Sequence, residues 1–384
     1  MTAWLPNPRT PLLWGCDLRD RLRGRPEGPL ARWGWFRPPG GPGPLLWVYA
    51  PDCQGARVGA EMVRGIRSVR VDVRAVVTAG QGCGETLRPL FQEYPGTAAA
   101  PPPAAHARAA RRAATRLGAR AFLAVHELPS YPFLQGLAAA GVPVSVVNCE
   151  PPRRWPRGLH FEHVFPAGEA QAQRWQAAGI PPEPAVDLEL FLARTDVEPT
   201  LRSLLLPGGH RRLYLSDALP SQDRTAFVDR WCHGERALAV AAEATTSGGE
   251  ALVPLSRWDE SREPLAPGQG VRWDERRWLA AVTASAFAGV LWHGERERLW
   301  QALASGLPLV AGPEAMRYLA DLGVEPEAAV AATTWAEVEA QWAEWEAHSF
   351  AWRDGQARSR RAYWAARRRA EAAMATVDAW ADQW

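Results

Sequence analysis

Short apolar runs alternate with amphipathic segments along most of the chain, and the two kinds of segment differ in period. Residues 45–50 (LLWVYA) and 121–125 (AFLAV) are apolar throughout, as expected for strands that are buried on both faces. Between these runs, apolar side chains recur at helical spacing, as at Val58, Met62 and Ile66. Strands that alternate with helices in this way predict a doubly wound parallel sheet of the α/β class.

The remaining elements of the first half continue this alternation. They are a strand at 69–78, a helix at 106–117 closed by Gly118, a helix that ends at Gly141 and a strand at 142–147. Because the carboxyl ends of parallel strands lie at one edge of a sheet, we expect the loops around Asp52, Gln81 and Glu127 to meet there. The sequence therefore predicts a binding edge in this half of the chain.

A second alternating series starts at Arg211. It predicts a strand at 211–216 (RRLYLS), a loop (DALPS), a helix that ends at Trp231 and a strand at 237–244 (ALAVAAEA). Two α/β halves in tandem would bring two sets of strand ends to the two walls of one cleft.

Residues 286–313 (AFAGVLWHGERERLWQALASGLPLVAGP) have the pattern of one strand–helix–strand unit. The apolar run 288–292 is broken by His-Gly-Glu, and apolar residues then recur at helical spacing as far as Gly306. Backbone N–H groups that open this helix would face the loop, where Arg296 and Arg298 add two cations, so the pattern predicts a phosphate site. An ordinary unit with a charged, solvated first helical turn explains the pattern equally well.

Shifts in composition divide the chain into five segments. We predict a basic, Trp- and Pro-rich lead-in at 1–44, an N-terminal α/β domain at 45–184, a linker at 185–200, a C-terminal α/β domain at 201–334 and a helical region at 335–384. The lead-in carries seven Arg against three acidic residues, together with Trp, so it suits contact with an anionic membrane. An irregular segment packed on the first domain explains it at least as well. The Arg-rich run at 357–374 is better explained by a solvated helix face than by contact with phosphate or lipid.

Composition narrows the classes of function. Hydrophobic residues make up 47% of the chain and charged residues 22%, and the net charge of +2 gives no electrostatic argument for nucleic acid. All 44 basic residues are Arg, so the chain can build neither a Schiff-base enzyme nor a P-loop with its Lys.

No apolar run approaches the roughly 18–20 residues that span a bilayer. The first residues mix Pro, Arg and Asp with apolar side chains, unlike a secretory signal, so we expect a cytoplasmic protein.

The spacing of Cys and His predicts no metal site. The five cysteines are odd in number and far apart, so we expect neither a disulfide framework nor a zinc site: Cys16, Cys53, Cys83, Cys149 and Cys232. His160 and His163 lie close together in HFEH, without further ligands at a suitable spacing. We expect a surface loop there.

Several short motifs occur in an order that resembles one enzyme family. ARWG at 31–34 precedes LWVYAPDCQGA at 46–56, ELPSYP follows at 127–132, and SGLPLVAGP closes the series at 305–313. These pieces resemble those of the Kdo transferases, glycosyltransferases that move 3-deoxy-octulosonic acid from its CMP-activated form onto lipid A precursors. The resemblance implies the GT-B fold, with two doubly wound domains facing each other across a cleft. It places a lipid or glycan acceptor on the first domain and a CMP-linked sugar on the second.

The resemblance also implies where the site residues lie. The nucleotide-sugar is expected at the loops of the second domain, at Ser216, Gly294, Glu295, Arg298 and Gln301. Asp52 and Glu127 are the candidates for deprotonating the acceptor, although a Pro-Asp pair is as often a turn former. The sequence has no Asp-x-Asp pair, and we expect no metal and no cofactor apart from the nucleotide-sugar substrate.

Five residues in four motifs depart from the family pattern. Where the family has its catalytic Glu this chain has Ala56, and where it has a Lys this chain has Glu189. In the nucleotide loop Arg298 and Gln301 take the places of an Asn and a Glu, and Glu150 takes the place of an Arg. A methyl group in place of a general base should cost about 10²–10⁴ in rate unless another carboxylate serves. Three hypotheses follow: a Kdo-type glycosyltransferase of cell-envelope biosynthesis, a non-catalytic homologue that binds a glycan, nucleotide or protein, and a sugar-nucleotide epimerase of the same fold.

Overall fold

The chain divides into two compact units. The computed structural model describes residues 27–80, 82–195, 203, 205–206, 211–242, 252–257, 263–273 and 278–384. The first unit comprises Met1–Leu188 and Ala370–Trp384, and the second comprises Glu189–Arg369. The division therefore falls within the segment 185–200 that the sequence predicts as a linker.

The first unit is built on a six-stranded parallel sheet. Its strands are β1 (Leu45–Ala50), β2 (Arg74–Ala79), β3 (Thr97–Ala100), β4 (Ala119–Val125), β5 (Val144–Val147) and β6 (Phe161–Phe165). They are arranged in the order β3-β2-β1-β4-β5-β6, and all neighbours are parallel. The helices are α1 (Glu27–Arg32), α2 (Cys53–Val69), α3 (Gly84–Glu93), α4 (Ala107–Leu117), α5 (Tyr131–Ala140) and α6 (Glu169–Ala177). The predicted doubly wound sheet is confirmed.

Aromatic side chains fill the core of this sheet. Trp47 of β1 is fully buried, and its ring packs edge-on against Phe122 of β4 with 4.9 Å between the ring centroids. The indole N–H of Trp47 donates a 3.1 Å hydrogen bond to Oγ1 of Thr78 on β2. Because that bond satisfies the one polar atom of the indole, a large side chain can be buried without an unmet polar group.

One predicted strand in this unit was wrong in its extent, and two elements were not predicted. The strand predicted at 69–78 is only Arg74–Ala79, because α2 continues to Val69 and ends at Arg70, whose N–H bonds to the carbonyl of Ile66. The alternating part of the run is therefore helix end and turn, and only the continuously apolar part is strand. Helix α3, which contains Pro89, and the short strand β3 were not predicted, because neither has a clear apolar period.

The HFEH segment forms edge strand β6 and not the expected surface loop. The N–H of Val144 on β5 donates to the carbonyl of His160, with 2.9 Å between N and O, which extends the sheet. Nδ1 of His163 lies 2.8 Å from a carboxylate oxygen of Glu183, and its ring stacks on Phe165. These contacts give His163 a structural role in the sheet.

The second unit is built on a seven-stranded parallel sheet. Its strands are β7 (Arg212–Ser216), β8 (Arg236–Ala241), β9 (Leu252–Pro254), β10 (Gly270–Trp273), β11 (Ala286–Leu291), β12 (Leu309–Ala311) and β13 (Val330–Ala331), in the order β13-β12-β11-β7-β8-β10-β9. The helices are α7 (Arg224–Trp231), α8 (Leu279–Ser285), α9 (Arg296–Ser305), α10 (Pro313–Asp321), α11 (Trp335–Ala347) and α12 (Ser349–Ala381). The residues of α12 from Ala370 onwards belong to the first unit.

The strand–helix–strand unit predicted at 286–313 is confirmed. Helix α9 joins β11 to β12, and these two strands pair in parallel. Gly306 caps the helix with φ of +68°, a left-handed conformation that glycine adopts at little cost. The loop before α9 therefore lies at the carboxyl end of β11, where ligands of such sheets usually bind.

Cys53 and Cys83 form a disulfide, although the spacing of the cysteines predicted no disulfide framework. Cys53 opens α2 and Cys83 caps α3, and these helices follow the adjacent strands β1 and β2. The pairing of β1 with β2 thus brings together two cysteines whose spacing in the sequence does not predict a disulfide. Cys149 and Cys232 are buried thiols, and Cys16 lies outside the described residues.

Two observations bear on where the protein resides. In the part of the chain that the structure describes, no helix combines the length and apolar character needed to cross a bilayer. Disulfides are rare in cytosolic proteins, so the Cys53–Cys83 bond gives no support to a cytoplasmic location, which stays a prediction.

Candidate functional site

The carboxyl edge of the first sheet carries an Asp–His pair. Asp52 follows β1 and caps α2, since its Oδ1 accepts a 2.7 Å hydrogen bond from the N–H of Gly55. His126 follows β4, the neighbouring strand, and its φ of +66° is a left-handed conformation that is costly for a residue other than glycine. Nδ1 of His126 lies 3.5 Å from Oδ2 of Asp52. The sheet thus holds an imidazole against a carboxylate.

This environment keeps Asp52 ionised. The hydrogen bond from His126 is the largest cause that lowers the pKa of Asp52 from 3.8 to about 2; the bond from Gly55 adds to it, and partial burial opposes both. A carboxylate with so low a pKa is a poor proton acceptor near neutral pH. Asp52 therefore fits the capping of α2 and the positioning of His126 better than the predicted role of general base.

A cavity of about 460 Å³ opens beside this pair. Glu127 lines it with an exposed side chain, together with Tyr131, Glu150, Arg153 and Arg154. The guanidinium carbon of Arg154 lies 5.0 Å from the centre of the Tyr131 ring, so the wall joins an aromatic face to positive charge. A cavity in which an aromatic ring and a few charged groups converge is typical of a ligand site.

Glu127 is the carboxylate that this cavity offers for proton transfer. Burial, and then the charge of Glu127, raises the pKa of Tyr49 to about 12, so Tyr49 keeps its phenol proton at neutral pH. Glu150 is held by Arg174 through bonds of 2.6 Å to Nε and 2.7 Å to Nη2. Of the two carboxylates in the wall, Glu127 is therefore the better placed to accept a proton.

The predicted meeting of the three loops is confirmed. Asp52 and Glu127 follow β1 and β4, which pair directly. Gln81 itself lies outside the described residues, but its neighbour Cys83 is bonded to Cys53 of the loop after β1. Ala56, at the position of the family's catalytic Glu, is fully buried in α2 and faces the core. A carboxylate at that position would therefore be buried in the core, where its charge is costly.

A buried carboxylate, Asp217, organises the corresponding edge of the second sheet. Asp217 follows β7 and is 2% exposed. Its two carboxylate oxygens accept hydrogen bonds from the N–H groups of Trp292, at 2.6 Å, and His293, at 3.1 Å. Burial raises the pKa of Asp217, and these two bonds oppose that effect. Asp217 thereby fixes the loop between β11 and α9.

The start of α9 contains three of the predicted nucleotide contacts. Gly294 has φ of +71°, and a Cβ there would lie 3.0 Å from Cα of Ala315, so the loop requires glycine. Glu295 is the residue that precedes the first turn of α9, and its carboxylate lies 2.9 Å from Nε of Arg298. A phosphate at this helix start would have to compete with Glu295 for the guanidinium of Arg298.

Glu189 also binds a cation of this helix. Its side chain is 3% exposed, and its carboxylate lies 3.5 Å from Nη1 of Arg296. Glu189 lies where the resemblance to the Kdo transferases implies a Lys, and its negative charge is balanced within the second unit. The two arginines predicted to bind phosphate are thus both engaged with carboxylates.

Ser216 and Gln301, also predicted nucleotide contacts, form hydrogen bonds within the fold. Ser216 is fully buried, and its hydroxyl donates to the carbonyl of Ala218. The side chain of Gln301 accepts from the N–H of Arg194, at 2.9 Å, and donates to the carbonyl of the same residue. Both side chains hold backbone segments in place, and their contact with a nucleotide stays a prediction.

Sequence reasoning missed His126 and Asp217 as site residues. Each is the first polar residue after a buried strand, at the start of the loops HELPSYP and DALPS. Because such positions lie at the ligand-binding edge of a parallel sheet, this signal could have found both residues. Among the described residues, no group of three or more His, Cys, Asp or Glu side chains could hold a metal ion.

Comparison with known proteins identifies the fold. No family model matches the chain, and no curated protein matches it in sequence. The structure is similar to UDP-GlcNAc 2-epimerase from Neisseria meningitidis bound to UDP-GlcNAc, with a TM-score of 0.53, 8% identity and coverage of 81% of this chain and 93% of that one. It is also similar to UGT2 of Phytolacca americana complexed with UDP-2fluoro-glucose and pterostilbene, with a TM-score of 0.54, 10% identity and coverage of 90% of this chain and 100% of that one. TcCGT1 in complex with UDP is similar too, with a TM-score of 0.57, 10% identity and coverage of 89% of this chain and 100% of that one. At such low identity these similarities show the fold alone, and the chain has the GT-B fold of two parallel-sheet α/β domains.

Proposed function

We propose that the protein is a glycosyltransferase that uses a nucleotide-activated sugar. The cavity at the carboxyl edge of the first sheet carries this proposal, because Glu127 lines it beside Tyr131 and Arg154. An acceptor hydroxyl bound there would pass its proton to Glu127 as the sugar is transferred. General base catalysis of this kind contributes typically about 10²–10⁴ in rate.

His126 and Asp52 act in this proposal as positioning residues. The strained backbone of His126 directly precedes Glu127, and the contact with Asp52 holds the imidazole in place. A cost in backbone energy at such a position is expected where it fixes the geometry of a neighbouring functional group. The Asp–His pair therefore sets the direction in which the Glu127 segment leaves β4.

The donor would bind to the second unit, at the loop that Asp217 fixes. Structures of similar fold contain UDP-GlcNAc or UDP, which supports a nucleotide-sugar as the donor. The N–H groups that open α9 would receive a phosphate, and Arg298 would exchange Glu295 for it. The motif order that resembles the Kdo transferases favours a CMP-linked sugar acid and a lipid or glycan acceptor.

A non-catalytic binding protein is the second candidate. It is favoured by the engagement of Arg296 and Arg298 with carboxylates and by the buried methyl group of Ala56 at the family's base position. Such a protein would bind a glycan or a partner without turning over a donor.

Nucleotide release separates these candidates. The full chain is incubated with CMP-, UDP- and dTDP-sugars, with and without a lipid or glycan extract as acceptor, and the released nucleotide is measured. We expect release from one donor class that depends on the acceptor. Release from no donor would overturn the transferase in favour of the binding protein, and conversion of the donor sugar without an acceptor would favour an epimerase.

The donor site has its own test. Arg298→Gln should raise the KM for the donor at least tenfold, since a charge-assisted bond to phosphate is worth about 1.5–3 kcal/mol. Arg317→Gln is the matched control, because Arg317 is an exposed arginine on the next helix, α10. An equal KM for the donor in wild type and Arg298→Gln would show that the donor phosphate does not bind at the start of α9.

A further inference from the structure

Two segments of the first unit contain no acidic residue, and both contribute to one surface. Residues 28–51 and 94–126 together carry seven Arg and neither Asp nor Glu. The N–H of Ala104 donates to the carbonyl of Arg32, with 2.8 Å between N and O. A Cβ on Gly34 would lie 2.2 Å from the carbonyl oxygen of Ala109, so the turn after α1 lies directly against α4. The fold therefore brings the two segments into contact.

Helix α4 has one apolar face and one face of arginines. Its buried residues are Ala109, Ala110, Ala113, Ala114 and Leu117. The other face carries Arg108, Arg111, Arg112 and Arg116, which lie within about 12 Å along the axis at 1.5 Å per residue. Like charges three and four residues apart destabilise a helix, so this arrangement has a cost that an anionic partner would remove.

An exposed indole lies against these arginines, and an exposed leucine lies next to it along the backbone. Trp35 is 46% exposed and Leu30 is 54% exposed, and the N–H of Trp35 donates a 2.9 Å hydrogen bond to the carbonyl of Leu30. The guanidinium carbons of Arg116 and Arg112 lie 4.4 Å and 5.1 Å from the centre of the Trp35 ring. An exposed indole and a Leu among arginines combine affinity for the apolar boundary of a bilayer with affinity for its anionic head groups.

We propose that this surface, the α4 arginine surface (Arg108, Arg111, Arg112 and Arg116 with Leu30 and Trp35), docks on the anionic head groups of a phospholipid bilayer. Trp35 and Leu30 enter the interface, and the arginines contact the phosphates.

A bilayer suits this surface better than a nucleic acid does. Proteins that bind single strands stack successive bases on aromatic side chains along a positively charged groove. Here the arginines lie on the outer face of a helix, and the exposed Leu30 gains from contact with lipid but offers no ring for a base. The proposal rests on this surface and does not depend on the transferase activity.

Sedimentation with vesicles tests the proposal without any sugar substrate. We expect the full chain to bind vesicles of phosphatidylcholine with phosphatidylglycerol and not vesicles of phosphatidylcholine alone. Each basic residue near an anionic surface contributes about fivefold, so Arg111→Gln with Arg116→Gln should weaken binding about 30-fold. Trp35→Ser should weaken binding to the anionic vesicles, while the dependence of that binding on salt concentration should stay unchanged.

A matched double variant locates the surface. Arg361→Gln with Arg368→Gln removes the same charge from exposed positions of α12, and binding should stay within about threefold of wild type. Equal binding to neutral and anionic vesicles would overturn the proposal, as would a larger loss in the α12 variant than in the α4 variant. Tighter binding to a single-stranded RNA oligonucleotide than to anionic vesicles, lost in the α4 variant, would instead make this a nucleic-acid surface.

Discussion

Replacement of His126 by Asn should raise the pKa of Asp52. In the wild-type protein the hydrogen bond from His126 is the largest cause of the low value, about 2 against an ordinary 3.8. Asparagine adopts the left-handed conformation more readily than most residues, so His126→Asn keeps the backbone while removing the imidazole. The bond from Gly55 remains and partial burial opposes it, so the pKa should return to the neighbourhood of its ordinary value.

The same pair contributes to the stability of the first unit. A fall of the pKa from 3.8 to about 2 corresponds to roughly 2.5 kcal/mol at about 1.4 kcal/mol per pH unit. Because the Asp52 side chain is 49% exposed, solvent screening reduces this to about 1 kcal/mol. The pKa is lower in the folded than in the unfolded chain, so this stability is present above about pH 4. It is lost as the pH falls towards about 2.

Carboxyl-carbon NMR titration of protein labelled at aspartate measures this pKa directly. The Asp52 signal is the one missing from the Asp52→Asn spectrum. Asp72, which pairs with Arg70 on the surface of the same unit, is the control and should titrate equally in wild type and His126→Asn. An Asp52 pKa near 3.8 in the wild type, or the same value in both proteins, would refute the reasoning.

Three further predictions concern residues that hold the fold of each unit. Gln301→Ala should lower the free energy of unfolding of the second unit by about 2 kcal/mol, because both backbone groups of Arg194 lose their partner; an unchanged urea midpoint would argue against this. Cys53→Ser with Cys83→Ser should destabilise the first unit by roughly 3–4 kcal/mol, since the bond closes a loop with a sequence separation of 30. A melting temperature of the wild type that is the same with and without dithiothreitol would contradict that prediction. Asp217→Asn should cost about 1–3 kcal/mol in the same urea assay, because one amide oxygen replaces two acceptor atoms; full stability would show that the loop is held by other contacts.

The alternation of strands and helices could be predicted because each buried strand is an unbroken apolar run. The bounds of β1 were predicted exactly as the structure has them, and α9 ends at the predicted Gly306. The hydrophobic pattern gave a wrong prediction at residues 69–78. These residues alternate between apolar and polar side chains like a strand, but the segment begins as the end of helix α2. Tertiary packing decides such ambiguous segments.

Side-chain partners far apart in the sequence could not be predicted. Asp52 meets His126 only because β4 lies next to β1, and the sequence does not specify that order of strands. One local pair could have been foreseen: Glu295 and Arg298 are three residues apart at a helix start, a spacing that favours an ion pair. The phosphate prediction for Arg298 overlooked that competitor.

The role of Glu127 is tested most directly by the turnover of Glu127→Gln in the nucleotide-release assay with the donor and acceptor identified there. Gln keeps the shape of the side chain but cannot take the acceptor's proton, so kcat should fall by about 10²–10⁴ while the KM for the donor stays unchanged. Glu169→Gln, at an exposed glutamate of the same unit, is the control and should keep wild-type turnover. A kcat of Glu127→Gln within about threefold of wild type would contradict the assignment of Glu127 as the proton acceptor.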